Sequence, residues 1–144
     1  MRWPSAFVLL HILVFFACAC ASASDSGSVT SPPAAGLDQP FTLAAGASVR
    51  LEVENLQVGF DRVVSDSRCP SGAQCIVEGE ALVRVWLSKA PAARESRDLK
   101  TTPNAAEAVY GAYRIKLVTL APSPTVDRTI RPSDYVVTIL VTRV

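Results

Sequence analysis

Ala81-Leu82-Val83-Arg84-Val85-Trp86-Leu87-Ser88-Lys89 is the stretch that decides the fold. Ala81, Val83, Val85 and Leu87 are apolar at every second position, with Leu82, Arg84 and Trp86 between them. A period of two puts alternate side chains on opposite faces of an extended strand, whereas a helix repeats every 3.6 residues. Val49-Arg50-Leu51-Glu52-Val53-Glu54 follows the same rule: Val49, Leu51 and Val53 are expected to face a core and the charged set water. Further strands are expected over residues 57–64, 96–101, 113–120 and 135–143, with a short leading strand near Phe41 and a weak one around 105–110. Residues 102–107 have the best local helix composition but are too few to nucleate a helix alone.

Seven or eight short strands separated by Gly, Pro, Asn and Asp define an all-β chain. The expected architecture is a small antiparallel β-sandwich, with a small closed β-barrel as the alternative. The last run, Tyr135-Val136-Val137-Thr138-Ile139-Leu140-Val141-Thr142, is apolar on both faces, which calls for a central position or a covering element. Residues 121–134, with Pro122 and Pro124, form a turn-rich connection, because proline cannot donate to a central ladder. It is expected to be the longest irregular connection.

The N-terminus has a different grammar. One positive charge, Arg2, precedes twelve residues from Ala6 to Ala17 that are apolar apart from His11, and small residues follow. That stretch is short of the ~20 residues a bilayer core requires, and its three parts are those of a secretory signal, assigned to residues 1–19. Phe16-Ala17-Cys18-Ala19-Cys20-Ala21 resembles a bacterial lipobox, in which a cysteine is lipidated and becomes the new N-terminus. Cys20 is the preferred lipidation site, because cutting there removes Cys18 and leaves no odd thiol. Cys18 is the alternative, and ordinary cleavage with a soluble product is the competing outcome. Residues 20–37, rich in Ala, Ser and Pro, are expected to be a disordered linker. The single domain then runs over residues 38–144, an ordinary domain size.

Without Arg2, thirteen Lys and Arg stand against thirteen Asp and Glu, interleaved along the chain. No single-sign patch exists to attract nucleic acid, which is excluded as an expected partner.

Within the domain lie two cysteines, in Asp66-Ser67-Arg68-Cys69-Pro70-Ser71-Gly72-Ala73-Gln74-Cys75. In an exported chain a Cys69–Cys75 disulfide is the expectation. Closing that loop constrains the unfolded chain by about 2 kcal/mol in the loop-entropy model. Zinc is disfavoured, since two thiolates are too few ligands and the only histidine, His11, leaves with the signal. A Cys-x5-Cys spacing without a βαβ pattern does not suit redox catalysis either.

Asp66-Ser67-Arg68-Cys69-Pro70, four residues, Cys75, then Gly79 and the alternating Ala81 and Val83 resemble uncharacterised bacterial secreted proteins and lipoproteins with an Asp-Ser-Arg-Cys-Pro-x4-Cys signature. The resemblance extends through Tyr113-Arg114-Ile115-Lys116-Leu117 and the Pro122 loop to Tyr135. This chain departs from it at Ile76-Val77, where an aromatic residue usually follows the second cysteine. The resemblance implies export, frequent lipidation and an all-β domain, and no activity.

A mature chain without histidine has no Ser-His-Asp or Cys-His catalysis. The remaining candidates are Asp61, Asp66, Glu78 and Glu80 around the cysteine loop. Glu78 and Glu80 would share one face of a regular strand and could serve calcium binding or glycoside hydrolysis, but Gly79 between them suggests a bulge. Pairing with Arg62, Arg68 and Arg84 is the plainer account. Trp86, opposite the apolar set of its strand, is either an exposed anchor for a protein or carbohydrate or is packed beneath a loop.

The expectation is therefore a non-catalytic, lipid-anchored or secreted cell-envelope module that needs no cofactor and no metal. It would bind an unidentified envelope protein or surface component, with Asp66, Arg68, Glu78, Glu80 and Trp86 as candidate contacts. The alternatives are a small hydrolase that uses the carboxylates near the clip and an inhibitor of an exported protease that presents the loop from Arg68 to Cys75.

Overall fold

A computed structural model describes residues 35–144 of the chain. The assigned signal, the lipidation candidates Cys18 and Cys20, and most of the linker lie outside the described residues. Eight strands follow in order: β1 Phe41–Ala44, β2 Ser48–Leu51, β3 Leu56–Asp66, β4 Ala81–Lys89, β5 Glu95–Lys100, β6 Glu107–Tyr110, β7 Tyr113–Ala121 and β8 Val136–Arg143. They form two four-stranded antiparallel sheets, one ordered β1-β8-β7-β6 and the other β2-β3-β4-β5. No strand belongs to both sheets, so the architecture is a sandwich and the closed-barrel alternative falls. No α-helix occurs among the described residues.

Alternation gives the core. Val58 and Phe60 of β3, Val83, Val85 and Leu87 of β4, and Leu99 of β5 are buried against Ile115 of β7 and Val137, Ile139 and Val141 of β8. β8 lies between β1 and β7, the central place its two apolar faces call for. Along β7 the buried set runs Tyr113, Ile115, Leu117 and then skips to Leu120. The register shifts between Leu117 and Thr119, and a bulge of this kind inserts one residue and changes the phase of the alternation. Residues 45–47 cross between the sheets and are hydrogen-bonded to both, through Tyr135 O on one side and Phe60 N and O on the other.

Strand periodicity gives way altogether after β2. β2 ends at Leu51, and Glu52–Glu54 form a single 3-10 turn closed by Asn55 in the left-handed region (φ 50°). Val53, expected to face the core, is 98% exposed, and Glu54, expected to face water, is buried. The reversal has a polar cause. Tyr113 Oη donates to Glu54 Oε2 at 2.6 Å, and Arg143 Nη2 donates to both carboxylate oxygens at 2.7 and 2.8 Å. Those bonds hold the Glu54 carboxyl below the usual glutamate range, Tyr113 contributing most. Ala35 and Leu37 lie partly buried against the core.

Trp86 sits on the outer face of β4, directly opposite Gly59 of β3. An ideal Cβ on Gly59 would come within 2.1 Å of the indole, so only glycine admits the ring there. The Arg94 guanidinium covers the ring at 3.9 Å from its centroid. Trp86 is therefore half-buried between backbone and guanidinium. Gly59→Ala should expel the indole and cost about 1–3 kcal/mol, as overpacking does. The expected result is a lower melting temperature with red-shifted, iodide-accessible Trp86 fluorescence.

Candidate functional site

The residues around the cysteine loop gather at one end of the sandwich, between two long connections. Residues 67–80 join β3 to β4, and residues 122–135 join β7 to β8; both are fourteen residues long, so the proline-rich connection does not stand alone as the longest. Cys69 and Cys75 form the expected disulfide. Such a bond belongs to an oxidising compartment, as export provides.

The two connections are tied together by backbone. Ser71 N donates to Pro124 O at 2.9 Å, Val126 N donates to Ser71 O at 3.3 Å, and Ser71 and Thr125 form an isolated bridge. Gly72, at φ 92°, leaves room for Val126, whose methyl group would lie 3.2 Å from a Cβ there. Gly79 does comparable work at the base of the loop, where an added Cβ would meet Ser67 O at 1.6 Å. Ser67 N and Oγ both donate to Glu80 O, closing the loop above β4. Gly79 thus marks a close crossing of backbone outside the strand, not a bulge within it.

Arg68 is turned inward. Its Nε and Nη2 hold Asp66 Oδ1 and Oδ2 in a two-pronged pair at 2.9 and 2.7 Å. Nη1 also donates to Leu120 O, and Nη2 to Pro122 O, both at 2.8 Å. Asp66 further accepts the Arg68 backbone N–H at 3.1 Å and Tyr135 Oη at 3.0 Å. Both side chains are largely shielded, at 14% and 11% exposure. Burial pushes the Asp66 carboxyl up, but the bonds from Arg68 and Tyr135 outweigh it and hold the group below its ordinary value. Burial and the Asp66 carboxylate push the Tyr135 hydroxyl up.

The other candidates do not converge. Lys100 Nζ donates to Glu80 Oε1 at 2.5 Å, and Thr102 Oγ1 donates to Oε2 at 3.2 Å. The bond from Lys100 is the main reason the Glu80 carboxyl is held low. Asp61 pairs with its neighbour Arg62 at 2.7 Å. Glu78 is exposed, and neither it nor Glu80 lies in a strand, since β4 begins at Ala81. Two hollows open at this end, of about 740 and 530 Å³, and Glu78 alone of the four carboxylates lines them. Trp86 stands apart on the outer face of the β2-β3-β4-β5 sheet. Among the described residues, no group of three or more His, Cys, Asp or Glu is placed to hold a metal ion, and no helix is long and apolar enough to cross a membrane.

What the loop does present is apolar. Ile76 and Val77, directly after the clip, are 104% and 77% exposed, with Val126 of the partner loop 57% exposed. Sequence patterning did not single these out as contacts. Their signal was the replacement of an expected aromatic residue by two aliphatic ones.

No protein-family model, curated protein or solved structure matches this chain.

Removing Arg68 leaves a shielded Asp66 carboxylate and two carbonyls without their donor. Arg68→Ala should therefore cost about 3 kcal/mol, the low end for breaking a buried pair by deleting one partner. The pH dependence follows from the depressed folded value of Asp66. Its contribution is complete above the ordinary aspartate range and is lost as pH falls through the folded value. Acid unfolding followed by circular dichroism should be steeper for the parent chain than for Asp66→Asn.

Proposed function

We propose that the chain is an exported, lipid-anchored and non-catalytic domain of the cell envelope, which binds a protein partner through the end that carries the disulfide. The observation that carries this reading is the pair Ile76 and Val77, held in water at the tip of a loop fixed three ways. The disulfide closes it, the Arg68–Asp66 pair roots it, and backbone bonds to residues 122–135 brace it. Exposed aliphatic side chains on a preorganised loop lose little conformational entropy on association, which favours their use as contacts.

Several features support binding over catalysis. The chain has no histidine after His11. The Asp66 and Glu80 carboxyls are held below their ordinary values, with Arg68 and Lys100 bonded to them, and Asp61 is paired with Arg62. A protease inhibitor built on Arg68 would need that side chain outside, whereas it faces the interior. The lipid anchor, on Cys20 with Cys18 as alternative, rests on the N-terminal pattern and on the likeness of residues 66–75 to exported bacterial lipoproteins.

Photocrosslinking in the native envelope tests the assignment. A photoreactive amino acid at Val77 of the full chain should give one discrete adduct, competed by excess soluble domain, while the same probe at Arg114, exposed on the other sheet, should give none. No adduct at Val77, or equal labelling at both positions, would remove this function. Intact masses of the Cys18→Ser and Cys20→Ser chains should show the acyl increment lost only when the anchoring cysteine is replaced.

A further inference from the structure

The outer face of the β2-β3-β4-β5 sheet carries a cation that the chain itself does not neutralise. Every other arginine among the described residues has a carboxylate oxygen within 3.9 Å. Arg94 has none, and among the described residues its guanidinium makes no hydrogen bond. It lies instead over the Trp86 ring, 3.9 Å from the centroid, and the residue is exposed. A guanidinium stacked on an indole uses the face of its plane, so its N–H edge stays free for an acceptor.

That edge is held in place from below and from the side. A Cβ on Gly59 would meet Cε2, Nε1 and Cζ2 of Trp86 at 2.1, 2.3 and 2.4 Å, so the indole rests one face on the sheet and turns the other outward. The turn that carries Arg94 is fixed as well, with Ala92 N donating to Lys89 O at 2.8 Å and Ser88 Oγ donating to Ala92 O at 3.1 Å. The neighbours of the ring on this face are hydroxyls and an amide: Ser96 is opposite Trp86, Ser48 is opposite Gly59, and Gln57 is opposite Ser88. The nearby acids are already taken. Arg97 holds Glu95, next in the chain to Arg94, at 2.8 Å. Arg84 grips Asp98 with Nε and Nη2 at 2.7 and 2.8 Å, which shows on the same face how a guanidinium here takes a carboxylate.

We propose that Trp86 and Arg94 form a recognition site for an acidic saccharide, with a sugar carboxylate in the Arg94 fork and the sugar hydroxyls on Ser48, Gln57, Ser88 and Ser96. The unmatched positive charge selects an anion from outside the chain, and stacking on Trp86 holds the fork ready, so little freedom is lost on binding. A saccharide is favoured over an acidic peptide because the groups beside the fork are hydroxyls and an amide, which match a ligand rich in hydroxyls. The site lies on a sheet face and requires neither lipidation nor the contact proposed for Ile76 and Val77.

Calorimetric titration of the exported chain with tetragalacturonate and with a hyaluronan tetrasaccharide tests it. The methyl esters of both, a tetraglutamate peptide and sodium phosphate serve as comparisons. Saturable binding of at least one acidic saccharide is expected, with a change in the fluorescence of Trp86, the one tryptophan left once Trp3 departs with the signal. Arg94→Ala alters an exposed side chain, so it should melt near the parent but bind about tenfold more weakly, as loss of a charge-assisted pair implies. Arg94→Lys keeps the charge without the planar fork and should recover only part of that loss. Arg114→Ala, on the other sheet, should bind as the parent does. Binding of neither saccharide would overturn the proposal, as would esters that bind as tightly as the acids. Equal affinity for tetraglutamate would make the face a contact for acidic peptides, and displacement of the saccharide by an equal concentration of phosphate would make it a site for any small anion; either result also overturns it. Equal weakening by Arg94→Ala and Arg114→Ala would reduce the effect to diffuse charge and end the assignment.

Discussion

The pair between Arg68 and Asp66 is the constraint on which the disulfide end depends. The hydrophobic effect joins the two sheets along their inner faces but is non-directional and specifies no arrangement for two fourteen-residue connections at the rim. A guanidinium does. Its planar fork grips one carboxylate on its own sheet, and the remaining N–H groups reach Leu120 O and Pro122 O, where the other sheet ends. Tyr135, the residue before β8, completes the link by donating to the same carboxylate. Such a pair is a modest source of net stability compared with apolar packing, because desolvation offsets much of the attraction. Its contribution is definition: with the donors in place the loops have one geometry, and the disulfide then acts on a loop whose root is already set.

The opposite end solves the same problem with the same chemistry. Glu54 follows β2 and Asp66 ends β3, so both shielded carboxylates belong to the β2-β3-β4-β5 side, and in both cases a tyrosine from the other side of the sandwich donates to them. The arginine differs in origin. Arg143 crosses from β8, whereas Arg68 follows its own carboxylate in the chain and reaches across with its remaining donors. Lys89 extends the Glu54 cluster, its Nζ donating to Tyr113 Oη at 2.7 Å and lying over the same ring. Each carboxylate is partnered, and no fully buried side-chain nitrogen or oxygen among the described residues lacks a hydrogen bond. A small sandwich with few polar groups inside can keep them only on that condition.

Sequence patterning was most informative where burial is periodic. β4 spans residues 81–89 as its alternation requires, and β8 takes the central place that its two apolar faces demand. The disulfide followed from spacing and compartment. Patterning failed where a long-range polar contact overrode the local period: Val49 to Glu54 alternates as cleanly as any strand, yet Glu54 turns inward because residues 59 and 89 positions later supply its donors. Nothing local announces those partners, although Asn55, tolerant of the left-handed conformation, was a turn signal at the right place. Arg68 and Asp66 were legible as a pair from their proximity. Their inward orientation was not, because it depends on carbonyls 52 and 54 residues away. Trp86 was placed on the outer face, but its cover came from Gly59 and Arg94, one a cross-strand partner and the other beyond the next turn.

The two polar clusters also decide which residues are left for contact. Glu54, Asp66 and Arg68 are withdrawn from the surface into them, so the candidates Asp66 and Arg68 serve the fold while the flanking Ile76 and Val77 remain outside. The same holds at the other pole, where burying Glu54 is what turns Val53 into water. A strand that continued its alternation through residue 54 would have hidden the valine and exposed the glutamate, giving an ordinary solvated edge. In this chain each internal ion pair is coupled, through the backbone it fixes, to an aliphatic side chain held outward at one end of the sandwich. The charges that stabilise the interior and the apolar groups offered to the surroundings are thus two outcomes of the same local backbone geometry, and a substitution in either cluster should be felt first at the exposed tip beside it.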